Sequence, residues 1–231
     1  MCGRYSLSSD SERVGRRFGV EQMPLFPPRF NIAPSQAAPV IFADRDKPAA
    51  AAGHPGRCRL MQWGLVPHWA KDVSIGRRLI NARAETAADK PAFRAAMRYR
   101  RAVVPANGFY EWQGKGSARR PMYIRISDEE MFALGGLWEC WQSPDGSELE
   151  TFAILTTAAN ERMATVHDRM PLILPHEAEA RWLDPAVQKP DEVADLLVPF
   201  PAARMELWPV STRVNSPKHD DASLIEPAEL F

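Results

Sequence analysis

Met131-Phe132-Ala133-Leu134-Gly135-Gly136-Leu137-Trp138-Glu139-Cys140-Trp141, followed after Ser143-Pro144-Asp145-Gly146-Ser147 by Leu149-Glu150-Thr151-Phe152-Ala153-Ile154-Leu155-Thr156, is the clearest hairpin in this chain of 231 residues. Apolar, β-branched and aromatic residues fill both arms, and a Pro-Asp-Gly turn returns the chain antiparallel. Working outward, 102–105, 109–113 and 122–126 are β-rich, the last two joined by a polar turn holding Gly114 and Gly116. Further out, 2–7, 40–43, 58–66 and 204–210 also read as strands. Helices are expected at 10–18, where Ser9 and Glu12 match a capping box and Gly19 a stop, and at 91–97, 158–164, 176–183 and 191–197. The proline-rich stretch 24–39 is expected to lack regular structure, the loop 44–56 to be mobile, and the tail after Pro217 to be loosely held. Strands and helices interleave without βαβ regularity. The fold class is therefore α+β, a mixed, largely antiparallel sheet with peripheral helices.

A composition 45% apolar and 25% charged supplies a full core for one large domain or two small ones. No stretch approaches roughly 18 consecutive apolar residues, and the first residues lack a charged region followed by an apolar one, so neither a membrane span nor a secretory signal is expected. That places the chain in the cytoplasm or on the nucleoid. Cys2, Cys58 and Cys140 are odd in number and far apart, against a disulfide framework or a cysteine-rich zinc site. No histidine or carboxylate pair has metal-ligand spacing, so neither a metal nor another cofactor is expected.

The formal charge of zero conceals a polarity. Residues 1–120 carry 21 Lys+Arg against 9 Asp+Glu, a net +12, and residues 121–231 carry 8 against 20, a net −12. Either the first half presents a basic, arginine-rich face suited to phosphates, or the two halves pack and their charges pair.

The chain opens Met1-Cys2-Gly3-Arg4-Tyr5, so loss of Met1 leaves a cysteine with a free α-amine. Such a terminus holds two nucleophiles, an amine titrating near ~7.7–8.0 and a thiol near ~8.5. With an aldehyde, the amine forms a Schiff base and the thiolate closes a thiazolidine; with an ester or amide, sulfur attacks and the amine serves as base. Two-residue alternation puts Arg4 on the face of Cys2. In Asn81-Ala82-Arg83-Ala84-Glu85, extended geometry places three polar side chains on one face with alanines behind, either a site wall or a solvated edge. Glu111 sits among aromatics in Gly108-Phe109-Tyr110-Glu111-Trp112, a setting for a general acid, with a structural ion pair as the alternative. His167, in His167-Asp168-Arg169-Met170-Pro171 after a short helix, is the histidine read as a proton shuttle. Of the two tryptophans in Trp63-Gly64-Leu65-Val66-Pro67-His68-Trp69, Trp69 is expected to be the exposed one, beside arginines where a nucleic-acid base can stack.

These motifs, together with Asn31-Ile32-Ala33-Pro34, fall in an order that resembles the SOS-response-associated peptidase (SRAP) family from Cys2 to about Pro217. The resemblance implies one domain spanning residues 1–231, with the sheet curled into a barrel-like core, and covalent capture of abasic sites in single-stranded DNA by a monomer. It implies that Cys2, after loss of Met1, is the nucleophile, that Asn81 holds the abasic sugar and its phosphate, and that Arg4 and Arg83 grip the backbone. Glu111 would be the acid that opens the sugar, His167 would aid proton transfer and reversal, and Pro34 and Trp69 would lie on DNA-contact loops. Lyase leakage and self-removal of Met1 are compatible with this reading. Two rivals stand beside it: an amino-terminal-nucleophile amidohydrolase or peptidase using Cys2, and a non-covalent single-strand-binding module.

Overall fold

The computed structural model describes residues 2–43, 56–114, 116 and 119–228. In chain order, β1 (Arg4–Leu7) leads to α1 (Ser11–Phe18), β2 (Arg29–Ile32), β3 (Ala37–Ala43), β4 (Gly56–Trp63) and the short β5 (Asn81–Arg83). After α2 (Arg94–Tyr99) come β6 (Arg101–Ala106), β7 (Gly108–Gln113), β8 (Arg120–Ile126), β9 (Phe132–Gln142) and β10 (Glu148–Ala158). β11 (Arg169–Pro171), β12 (Ile173–Leu174), α3 (His176–Leu183) and β13 (Met205–Pro209) complete the order.

The expected hairpin is β9–β10, in register from Gln142 opposite Glu148 to Gly136 opposite Ile154. It is also the seam of a closed barrel: β10, β4, β3, β6 and β9 pair in turn, and β9 returns to β10. Only the β10–β4 junction is parallel, so the barrel is mixed and largely antiparallel. Close approach is why two glycines sit in β9. A Cβ at Gly135 would lie 2.8 Å from Leu172 Cδ2, and one at Gly136 3.1 Å from Val104 Cγ2. Inside, Trp63 stacks on Phe152 at 6.1 Å between ring centroids, and Tyr5 meets Trp63 edge-on at 5.3 Å. All three are fully buried, each contributing roughly 1.5–3 kcal/mol or more.

A second sheet, ordered β13-β8-β7-β1-β2, has two covered faces. Cross-strand partners Tyr5, Phe109 and Ile124 face the main core. Strand alternation turns their neighbours Tyr110 and Tyr123 outward, into a separate cluster with Val210, Val214 and Leu224. That outer face needs a cover, and the carboxy-terminal segment supplies it. Leu224 is fully buried, the Trp208 indole N–H donates to Ile225 O at 2.9 Å, and Asp220 accepts from the Phe30 and Asn31 backbone N–H groups. The tail after Pro217, expected to be loosely held, is thus a strap tied down through Ala228, whose N–H reaches Pro209 O at 2.8 Å.

Several other expectations are corrected. The stretch 24–39 contains β2 and the start of β3. Pro39 is tolerated because β6 pairs with β3 only at Ile41 and Phe42, leaving one side of Pro39 without a ladder. Asp10, not Ser9, caps α1, accepting from Arg13 N–H at 2.9 Å. Ser9 is buried and held by Asn107. The helix expected at 158–164 is a single 3-10 turn, Met163–Thr165, because β10 continues to Ala158 and Asn160 Oδ1 then takes the Met163 N–H. The helix expected at 191–197 is the 3-10 segment Pro190–Leu196. All but Gly56 of the loop expected at 44–56 lies outside the described residues, as do Lys115, Ser117 and Ala118 in the turn after Gly114.

Candidate active site

Cys2 lies just ahead of β1, with 0% of its surface exposed, inside the main core cluster with Tyr5 and Trp63. Burial pushes its thiol up to about 12, and the nearby Glu111 carboxylate adds to that shift. Glu111 is itself only 4% exposed. The register that turns Phe109 inward turns Glu111 inward as well, two residues further along β7. Its Oε1 accepts from the Trp112 N–H at 3.2 Å.

The polar wall read at 81–85 forms through β5, which inserts parallel to the end of β10, Asn81 beside Ile154 and Arg83 beside Thr156. The Trp63 indole N–H fixes this segment by donating to Ile80 O at 2.8 Å. Asn81 Nδ2 then donates to the Cys2 carbonyl at 2.8 Å. Its Oδ1 is buried and has no hydrogen-bond partner. An orphaned buried acceptor is costly, about 1–3 kcal/mol, and such atoms mark places where a ligand or water completes the bonding. The Tyr5 hydroxyl is a second buried polar group without a partner, within electrostatic reach of the Cys2 sulfur.

β5 ends at Arg83, so Glu85 leaves the wall for a turn. There it grips Arg169 through two hydrogen bonds of 2.7 and 2.9 Å. Arg169 holds the Glu85 carboxyl below the usual carboxylate range and also donates to Thr156 O at 2.6 Å. These bonds seat the loop that carries His167. The His167 Nδ1 lies 3.0 Å from the Arg169 backbone N and 2.8 Å from Asp168 Oδ1, between a donor and an acceptor. Gln113, two residues beyond Glu111, bonds Thr165 O at 2.9 Å and ties this loop to β7.

Arg4 departs from the expected arrangement. Because the strand begins at Arg4 and Cys2 precedes it, the alternation does not carry through, and Arg4 faces the outer cluster opposite Tyr110. Its NH1 donates to Asn31 Oδ1 at 2.9 Å and Val214 O at 2.6 Å, and its NH2 to Asn215 O at 3.1 Å. The guanidinium therefore ties β2 to the segment 214–215 that leads into the strap. Pro34 sits in a turn closed by Gln36 N–H to Ala33 O, with Ser35 at φ 70°, and the Ser35 N–H fastens it to Trp63 O. Trp63 is core and Trp69 is 50% exposed, its indole 3.4 Å from Pro91 O. Tyr5 and Arg169 are site residues that the sequence alone does not single out. The signals were weak: a hydroxyl on an inward strand position and a cation one residue after an acid.

The charge polarity resolves in both directions at once. Arg13, Arg17, Arg29, Arg59 and Arg100 pair with Glu130, Glu179, Asp220, Glu150 and Glu139, all from the second half. Arg77, Arg78, Arg83, Lys90, Arg94 and Arg98 are exposed or nearly so and make no hydrogen bond or ion pair through their side chains among the described residues. Among the described residues no group of three His, Cys, Asp or Glu side chains is placed to hold a metal ion, and no helix is long and apolar enough to cross a membrane.

Fold and site define a class: an α+β protein whose closed mixed barrel buries an amino-terminal cysteine beside an amide and a carboxylate. The chain belongs to the SOS response associated peptidase (SRAP) family, which it matches over residues 1–217. It is 42% identical over 230 residues, 98% of this chain and 99% of the relative, to the abasic site processing protein YoqW of Bacillus subtilis. It is 32% identical to the abasic site processing protein HMCES of Gallus gallus, covering 100% of this chain and 79% of that one. A solved structure of a protein from Bacteroides thetaiotaomicron superposes with a TM-score of 0.86 at 28% identity, over 99% of this chain and all of the other.

Proposed function

We propose that this protein processes abasic sites by covalent capture in single-stranded DNA, through a thiazolidine on Cys2 after removal of Met1. The observation that carries the reading is the Cys2–Asn81 hydrogen bond beside an orphaned Oδ1 and a buried Glu111. It holds the terminal residue in place and leaves an acceptor for a sugar hydroxyl.

Glu111, as an acid, protonates the ring oxygen of the abasic sugar and opens it to the aldehyde. The freed α-amine adds to the aldehyde carbon, and the carbinolamine loses one water to give the iminium. Because burial keeps the thiol protonated, nitrogen reacts first; the iminium cation then favours loss of the S–H proton, and sulfur adds to the same carbon. His167, seated between the Arg169 N–H and Asp168, accepts and returns protons and assists reversal. Ring closure removes the iminium before β-elimination breaks the strand, so the product is a protected lesion. Arg83 faces solvent for the backbone phosphates, and Pro34 and Trp69 flank the path of the strand. The test mixes Met1-free protein with an oligonucleotide carrying one abasic site. A heat-stable adduct is expected, absent in Cys2→Ala and formed ~10²–10⁴-fold more slowly in Glu111→Ala; an adduct that persists in Cys2→Ala refutes the assignment.

A further inference from the structure

Among the described residues, three cations without a salt bridge follow one another closely along the chain, the last, Arg98, lying over the Tyr99 ring at 5.3 Å. Lys90, Arg94 and Arg98 are all exposed, follow one another at four-residue spacing, and make no hydrogen bond or ion pair among the described residues. Arg94 and Arg98 lie one turn apart on α2, and Lys90, in the turn just ahead of it, is tied on by the Arg94 N–H to Lys90 O bond of 2.9 Å. The four-residue step sets Arg94 and Arg98 about 6 Å apart along the axis, comparable to the step between phosphates of an extended strand, with Lys90 leading into them. Between them Phe93, Ala96 and Met97 are buried, so the opposite face anchors the row to the core. The row begins where the candidate site ends, since the Trp69 indole rests on the carbonyl of Pro91. Neighbouring carboxylates are engaged elsewhere: Glu85 is held by Arg169, and Asp184, which lines a hollow with Arg98, accepts from the Ala186 N–H and faces the Arg101 guanidinium.

Five first-half arginines pair with second-half acids, and these three cations do not. We infer that Lys90, Arg94 and Arg98 form a phosphate-binding strip that carries the nucleic-acid strand onward from the Cys2 site, past Trp69. The inference rests on the DNA reading given above and adds a second footprint to it. The strip contributes affinity and reach through backbone charge, without base readout and without a part in the chemistry.

The experiment measures the affinity of wild type and of the variant with Lys90→Gln, Arg94→Gln and Arg98→Gln for single strands holding one reduced, unreactive abasic analogue. One strand is long on both sides, and one is trimmed to the immediate neighbours of the lesion. The strip predicts that the variant binds the long strand at least about 10-fold more weakly, with the slope of log affinity against log salt reduced by about 2, at about 0.7 per single-strand phosphate. The trimmed strand binds wild type and variant alike, and adduct yield on saturating reactive DNA is unchanged. Equal long-strand affinity and slope in the two proteins, or equal losses on both lengths, would overturn the strip. So would a wild type indifferent to strand length. Failure of the covalent reading looks different: no adduct in wild type, with length-dependent binding intact.

Discussion

Asn81 Nδ2 and the Cys2 carbonyl are 2.8 Å apart, joining β5 to a residue just outside β1. The bond fixes the terminal residue from its C-terminal side, where cleavage of Met1 leaves it untouched. Asn81→Ala removes the tether and the orphaned Oδ1 together. Stability should change by no more than about 1 kcal/mol, while the single-turnover rate of adduct formation falls on the order of 10²-fold through misplacement of the amine. Rates and unfolding midpoints measured side by side check this, and a rate loss matched by general unfolding would refute it.

Arg4 makes three hydrogen bonds to Asn31, Val214 and Asn215, so its removal should loosen the segment that covers the outer sheet face. Arg4→Ala is expected to cost about 2–3 kcal/mol in urea unfolding, and Arg4→Lys to recover part of it, because one ammonium cannot reproduce the fork. A variant with unchanged stability and weakened DNA binding would instead make Arg4 a phosphate contact alone.

Gly64 and Gly76 pack backbone against backbone at the base of the loop that carries Trp69. A Cβ on Gly76 would stand 2.6 Å from Gly64 O and 3.1 Å from Val66 Cγ2, and Gly64 itself has φ +125°. Gly76→Ala should therefore destabilise by about 1–3 kcal/mol. Hydrogen exchange should show the loss concentrated in the segment 64–79.

Thus the hairpin, the neighbouring strands, α3 and the helical identity of α1 were legible in the sequence, because periodicity and turn residues are local. What escaped depended on distant partners. Ser9 gave up its capping role to Asn107, residue 160 ended a helix before it began, and the tail was ordered by Asp220 and Leu224 meeting a sheet face made by Tyr110 and Tyr123. At the site, Asn81 stood out on a polar face backed by alanines and Glu111 as a carboxylate among aromatics. The outward turn of Arg4 did not, because alternation assumes that the strand includes Cys2.

Cys2 and Cys58 are each pushed up to about 12 by burial, and Tyr123 likewise. The folded protein holds these protons more tightly than the unfolded chain does. Their stabilising contribution is whole below the unfolded thiol range, near ~8.5, and is lost as pH climbs toward 12. Thermal midpoints should fall steeply with rising alkalinity, and Cys58→Ala should flatten that dependence without changing its sign. An identical slope in the variant would contradict the assignment.

In the proposed adduct both nucleophiles of Cys2 join one carbon, and intact mass spectrometry reads that bonding. Without any reductant, the complex should weigh the sum of Met1-free protein and abasic oligonucleotide less one water, survive heating, and leave the strand unbroken. Cys2→Ser, which keeps the amine and loses the sulfur, should give a complex that needs borohydride to persist, with the strand nicked. A wild-type adduct that itself requires borohydride, or one that forms with Met1 retained, would contradict the account.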